Sequence, residues 1–379
     1  MAAKIKVAVV GLGFGANFIP VFQAHPFAEC AAVCQRDEAR ARQIASRFGV
    51  GKIYSNYQDL LRDPEIDAVH INTPSSEHAS MTIDALKAGK HVACTVPMAV
   101  NNADCLEIAR LRDKSGLTYM MMETTVFTRE FIHVREMVKS GKVGKIQFLR
   151  GSHQQNMSMP GWPEYWYGFP PMHYATHAVS PLLCLAQADC EYVHCLGSGT
   201  IRADYAARYG SPFAIETALI KLRNSDIACE VTRSLFDTIR QYRESFDVHA
   251  SKMSFEWEQI AGEGMVEFTN LEDARRITIP DYAHFLPKEI QSFTQSGGKD
   301  GGEDQASFTQ GGGHGGSYPH MCHEFVSAIR ESRDSLLDVK RAANWTMVGL
   351  AAHESALKGG ARVAVPEVAV ERGNGAKWF

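Results

Sequence analysis

Hydrophobic and polar positions in the first 125 residues alternate between short apolar runs and longer amphipathic stretches, a rhythm that predicts strand–helix repeats and a parallel sheet. Lys4-Ile5-Lys6-Val7-Ala8-Val9-Val10 reads as the opening strand, followed by a Gly-rich turn and then by Ala31-Ala32-Val33-Cys34 as the next strand. A helix is expected from Glu38 to a stop near Gly49, a buried strand at Ala68–Asn72 before Thr73-Pro74, and a helix from about His78 to Ala88 closing on Gly89. His91-Val92-Ala93-Cys94 is a further strand, ending at Thr95-Val96-Pro97. From Lys145 the pattern changes to period-two alternation, as in Lys145-Ile146-Gln147-Phe148-Leu149 and Ala218-Leu219-Ile220-Lys221-Leu222, which predicts a large, open, mostly antiparallel sheet. The expected fold is therefore α/β: a parallel-sheet domain over 1–125 and a second α/β domain over 126–379. The last helical stretch, from about Arg341 to Lys358, is expected to pack back on the first domain. Gln295 to Gly316, rich in Gly, Gln, Ser and Asp, predicts a long surface loop bordering the active site.

Composition narrows the function classes. The 379 residues are 45% hydrophobic and 22% charged, an ordinary soluble globular balance. With 39 Lys+Arg against 43 Asp+Glu and a net charge of −4, no basic stripe is available for duplex binding, so nucleic acid is not an expected partner. No apolar run approaches the ~18 residues that span a bilayer, and Met1 leads almost directly into a strand without a signal-peptide cleavage pattern, which predicts a cytoplasmic location and no membrane partner. Nine scattered cysteines with no C-x-x-C pair predict reduced, buried thiols.

The turn after the first strand, Gly11-Leu12-Gly13-Phe14-Gly15-Ala16, is a G-x-G-x-x-A motif between a strand and a helix. Gly11 permits the tight turn, Gly13 lets the backbone approach a pyrophosphate, and Ala16 allows close helix packing. The adenosine ribose is ordinarily held by an acidic residue at the end of the second strand, where this chain has Gln35-Arg36-Asp37. Gln35 can hydrogen-bond a ribose hydroxyl and Arg36 can pair with a 2′-phosphate, so these residues leave NAD and NADP both open, with NAD the expected cofactor.

Beyond this motif, Ile66-Asp67-Ala68-Val69-His70-Ile71-Asn72-Thr73-Pro74, His78 and Ala85-Leu86-Lys87-Ala88-Gly89-Lys90-His91-Val92 resemble the glucose-fructose oxidoreductase / inositol dehydrogenase / rhizopine catabolism superfamily (Gfo/Idh/MocA). The resemblance extends to Val348–Ala356 and Val363-Ala364-Val365-Pro366 near the end of the chain. It implies a Rossmann domain followed by an α/β domain whose open sheet carries the substrate pocket and a homo-oligomer interface, dimeric or tetrameric. Thr73, Pro74, His78, Thr95, Val96 and Pro97 then line the cofactor site. The family's dehydrogenases carry Glu-Lys-Pro where this chain has Thr95-Val96-Pro97, and a valine can neither move a proton nor hold a hydroxyl. Their second signature, an Asp and a His four residues apart on one helix face, corresponds to His173 and His177, which are expected to meet on one side of a helix.

Val96-Pro97 together with Tyr174-Ala175-Thr176-His177 resembles the glycoside-cleaving, NAD-dependent branch, which implies catalytic roles for Tyr174 and His177 and leaves His173 as a further catalytic or sugar-binding candidate. The implied activity is a glycosidase that oxidises the sugar at carbon 3, eliminates the anomeric substituent, adds water and re-reduces the ring. The alternative is a net oxidoreductase acting on a sugar or glycoside. Glu123, at the exit from the first domain, Trp162, heading the aromatic run Trp162–Phe169, and His320 are expected substrate contacts. Arg233, Arg240, Arg243 and Lys252 suggest either a solvated face or a pocket for an anionic sugar. His320, Cys322 and His323 are too unfavourably spaced on a helix to ligate one ion, and no metal site is expected.

Overall fold

The computed structural model describes residues 3–240, 242–270, 272–295, 314–370 and 377–378. Among these, the N-terminal domain is a six-stranded parallel sheet built from β1 (Ile5–Val10), β2 (Ala28–Cys34), β3 (Lys52–Tyr54), β4 (Ala68–Ile71), β5 (His91–Thr95) and β6 (Tyr119–Met122), in the order β3-β2-β1-β4-β5-β6. Strand order reverses between β1 and β4, and the carboxyl ends of these strands open the crevice in which doubly wound sheets bind ligands. The helix expected from Glu38 is α2 (Glu38–Phe48), which follows α1 (Ile19–Ala24). Asp37 caps α2 by accepting from the Arg40 amide at 3.1 Å, and Gly49 ends it at φ 66°, a conformation that favours glycine. After α3 (Tyr57–Arg62), α4 (His78–Lys87) and α5 (Asn102–Ser115), α6 (Arg129–Lys139) leads into the second domain.

That domain is a nine-stranded mixed sheet. Its strands are β7 (Ile146–Gln155), β8 (Cys190–Ser198), β9 (Ile215–Leu222), β10 (Ala228–Ser234), β11 (Tyr242–Ala250), β12 (Ser254–Glu256), β13 (Met265–Phe268), β14 (Ala274–Ile277) and β15 (Val363–Ala364). Their order is β14-β13-β12-β11-β7-β10-β9-β8-β15, all antiparallel except β10 against β7. One face of its centre is covered by α7 (Thr176–Ala186), which packs on β7, β10 and β11. Beyond α8 (Ala203–Tyr209) come α9 (Ser317–Arg330) and α10 (Val339–Leu357). The last of these packs on α5 and β6 of the first domain and on β8 of the second. The predicted loop lies outside the described residues over 296–313; its end at 314–316 forms a short 3-10 turn. All nine cysteines are buried and unbridged, and no described helix is long and apolar enough to cross a membrane.

Candidate functional site

A cleft of about 870 Å³ runs from the carboxyl ends of β1, β2 and β4 to the face of the second sheet that α7 covers. At one end lie Gly11, Gly13, Phe14, Gln35 and Arg36; along its middle Thr73, Pro74, His78, Thr95 and Val96; at the inner end Tyr174 and His177. Gly11 has φ 82°, and a Cβ there would stand 2.6 Å from the Asn72 carbonyl oxygen, so the turn and its close approach to the β4 end both demand glycine. Gly15 begins a 3-10 turn, Gly15–Phe18, before α1, with Ala16 buried beneath it. The Leu12 amide donates to Gln35 Oε1 at 3.0 Å, which ties the Gly-rich turn to the end of β2 and leaves the Gln35 NH₂ for a ribose hydroxyl. Arg36 is paired with Glu77 at 3.4 Å, so a 2′-phosphate here would meet a cation already neutralised by a carboxylate.

His78 bridges the ends of two strands. Its Nδ1 lies 2.7 Å from the Pro97 carbonyl and its Nε2 2.8 Å from that of Thr73, while Thr95 Oγ1 stands 3.3 Å from Nε2. Burial opposes a charge on this ring, but Cys94 and the two carbonyls outweigh it and push the imidazole up to about 9. The Val96-Pro97 bond is cis.

At the inner end, α7 presents His177 almost at its N-terminus. Glu123 Oε1 accepts from His177 Nδ1 at 2.6 Å and also from the Thr125 amide at 3.0 Å, an assignment that leaves Nε2 directed toward Tyr174 Oη at 3.4 Å. Desolvation lowers the affinity of His177 for a proton, yet Glu123 and Glu244 overcome it and the net shift is upward. Glu123 has no exposed surface, so it stands behind His177 as an orienting carboxylate and does not form the wall of the cleft as a sugar contact would. Trp162 does line the cleft, packed against Trp166 in a satellite core with Phe169 and Phe236.

Two expected site residues lie elsewhere. His173 falls in the 3-10 turn Pro171–Tyr174, and the chain changes to α-helix only at Thr176, so the i, i+4 alignment with His177 is lost. Its ring packs 4.9 Å from that of His353 and 5.9 Å from Phe169, where burial and the neighbouring imidazole lower it to about 3. His320 is buried on α9 away from the cleft, lowered to about 4 by desolvation, while His323 points to His25 at 3.1 Å. Nor do these three arginines form a pocket for an anion: Arg233 is fully buried and spends its donors on the carbonyls of Tyr174, His153 and Ser234 and on Gln155 Oε1, and Arg240 and Arg243 bond Gln259.

At the inner end of the cleft, His153, Tyr242, Glu244 and His314 were not singled out from the sequence. His153 on β7 and Glu244 on β11 are directly opposed across an antiparallel ladder and share a face. His314 Nδ1 approaches Glu244 Oε1 at 3.2 Å and Tyr242 Oη at 3.1 Å. Burial raises the Glu244 carboxyl, but His314 and His177 hold it well below its usual range; desolvation and Arg233 drive His153 well below its own. The period-two pattern of β7 and β11 placed these residues on alternating faces, but the pairing of two strands ninety residues apart is what joins them.

Residues 5–123 match the family model described as "Oxidoreductase family, NAD-binding Rossmann fold". An uncharacterised oxidoreductase of Rhizobium meliloti is 37% identical over 126 residues, which cover 32% of this chain and 37% of that protein. The inositol 2-dehydrogenase of Salmonella typhimurium is 26% identical over 160 residues, 41% of this chain and 48% of that protein. These matches thus span less than half of the relatives' own length. Over the whole fold, a levoglucosan dehydrogenase solved with NADH and levoglucosan superposes with a TM-score of 0.78 at 19% identity, covering 96% of this chain and 100% of that one. Residues 5–123 are thus similar to the NAD-binding Rossmann domain of this oxidoreductase family, and the chain as a whole shares the two-domain fold of that solved dehydrogenase.

Proposed function

We propose that this protein is an NAD-dependent enzyme that oxidises a secondary alcohol of a carbohydrate, with residues 126 onward forming the substrate-binding unit. The observation that carries this reading is the position of the Glu123–His177 pair at the inner end of the cleft that the Gly11–Ala16 turn opens. Gly11, Gly13, Gln35, Thr73, Pro74, Thr95 and Val96 suit a dinucleotide: a glycine turn, a free amide at the end of β2 and a track along the strand ends. Bound NAD supplies the hydride acceptor. Glu123 orients His177 so that Nε2 faces the cleft, and Tyr174 Oη beside it completes a path for the hydroxyl proton. Trp162 and Trp166 offer aromatic surface to the apolar face of a sugar ring. Leu196 and Leu219, exposed on the outer face of the second sheet, suit its use in a homo-oligomer.

The finer reading is a glycosidase in which oxidation at carbon 3 is transient. It is favoured by Tyr174 and His177 standing together, since alcohol oxidation needs one proton-handling group and elimination across carbons 1 and 2 needs another. A carbon 3 ketone acidifies the carbon 2 hydrogen; one of the pair removes it as the anomeric substituent leaves, and water adds in return. Incubation of the enzyme with NAD and aryl glycosides in heavy water separates the alternatives. Deuterium at carbon 2 of the freed sugar without net NADH supports the glycosidase; accumulation of NADH with a keto product identifies the net oxidoreductase. Absence of both on every cyclitol, sugar and glycoside tried overturns the proposal.

A further inference from the structure

We infer that His153, His177 and Glu244 form a site for one divalent transition-metal ion, open on its cleft side to an oxygen of the substrate. One ring nitrogen of each histidine and one carboxylate oxygen lie within 4.8 Å of one another, and among the described residues this is the only such group. Three separate elements deliver them: β7, the opposed position on β11, and the first turn of α7 above both.

The separations fit an ion. Glu244 Oε1 lies 3.7 Å from His177 Nδ1 and 3.9 Å from His153 Nε2. Ligands held at ~2.0–2.2 Å in a tetrahedron are about 3.4 Å apart, so the two carboxylate–imidazole separations need to shrink by a few tenths of an ångström and the imidazole–imidazole one, within 4.8 Å, by at most about 1.4 Å. All three side chains are at most 7% exposed. Neither ring nitrogen of His153 has a hydrogen-bond partner, although buried polar atoms are ordinarily paired, and Glu244 Oε1 faces imidazole nitrogens of His314, His177 and His153 at 3.2, 3.7 and 3.9 Å. A cation satisfies these atoms together.

The surrounding groups complete a metal-site arrangement. His314 with Tyr242 holds the Glu244 side, and an ion bound through His177 Nδ1 takes the place of the proton that this nitrogen otherwise shares with Glu123. Two imidazoles and one carboxylate suit zinc and its first-row neighbours, and three protein ligands leave a position free. All three ligands line the cleft, so that position faces the substrate. No lysine lines the cleft among the described residues, and Arg36, the one arginine there, sits at the other end; an ion would supply the missing positive charge beside the reacting oxygen. This last use rests on the proposed alcohol oxidation, with Tyr174 then left to exchange the proton, whereas the ion site itself stands independently.

The test is metal content. Full-length protein incubated with Zn²⁺ and then desalted should retain about one ion per chain by mass spectrometry, and His153→Ala and Glu244→Gln should retain several-fold less while still binding NAD. Wild-type protein reconstituted with Co²⁺ should show the visible bands of a low-coordinate site, and these should shift on addition of myo-inositol or methyl glucoside. Retention no greater than that of the two variants, or a Co²⁺ spectrum of the free aquo ion, overturns the site. Retained ion without oxidation of any alcohol supports the site and overturns the function; oxidation fully resistant to chelators in ion-free protein does the reverse.

Discussion

Gly151 tests whether the backbone of the second sheet sets the position of His177. It lies on β7, paired with Val231 of β10 on one side and Phe246 of β11 on the other, so the strand is held on both edges. A Cβ at this position would stand 3.0 Å from the carbonyl carbon of Ala178 and closer still to its oxygen, with Leu182 Cδ1 at 3.3 Å. Carbon atoms prefer a separation of ~3.5–4.0 Å, so Gly151→Ala requires a displacement of about 1 Å. β7 cannot move without breaking two ladders; α7 yields instead, carrying His177, the residue before Ala178, away from Glu123. Overpacking of this kind costs about 1–3 kcal/mol, and a 1 Å misplacement of a reacting group costs about a hundredfold in rate. Urea unfolding monitored by circular dichroism gives the first quantity, and turnover of the best alcohol or glycoside substrate gives the second. NAD affinity should be unchanged because the Gly11–Ala16 turn lies in the other domain. Gly51→Ala, with no atom within 4 Å of its added carbon, is the control and should stay within about 0.5 kcal/mol of the parent. A variant at position 151 with the parent's urea midpoint and turnover would refute the argument, and one that is destabilised but fully active would sever packing from catalysis.

Glu123→Gln keeps the shape of the orienting side chain and removes the charge that favours the Nδ1–H tautomer of His177. It should lower turnover by about a hundredfold or more with little change in NAD affinity, and equal turnover would place the proton chemistry elsewhere. Val96→Lys should not raise sugar oxidation, measured as NADH formation; a large gain would show that a lysine is the missing group. Glu77→Ala frees Arg36 at the ribose end of the cleft and should narrow the preference for NAD over NADP, read by calorimetric titration of both nucleotides. His70 and His320 are buried and lowered to about 3 and about 4, mainly by desolvation. Their folded-state values lie below the unfolded 6.5, so their contribution to stability is present above pH 6.5 and is lost as pH falls toward 4. From these two groups alone the unfolded chain takes up about two more protons near pH 5, a loss of about 3 kcal/mol per pH unit, and a urea midpoint that stays flat from pH 7 to 5 would contradict it.

The first domain was legible because its signals are local. A strand, a G-x-G-x-x-A turn, a capping Asp37 and a terminating Gly49 each act within a few residues, and the parallel sheet follows from their repetition. Tyr174 and His177 were singled out through resemblance of a short segment, and both line the cleft. His173 misled because a four-residue spacing implies a shared face only in continuous helix, and the bend at Ala175 is a property of how that turn packs under α10. Glu123 and His177 are 54 residues apart, and nothing near either one announces the other. The same holds for His153 and Glu244, whose opposition depends on which strands become neighbours in a nine-stranded sheet and in what register. Alternation says which side of its own strand a residue occupies, whereas the identity of the strand beside it is decided by burial of the whole face. The sequence therefore determined the cofactor turn and the class of each domain; the tertiary structure decided which buried charges meet, because that depends on contacts between segments that no local pattern encodes.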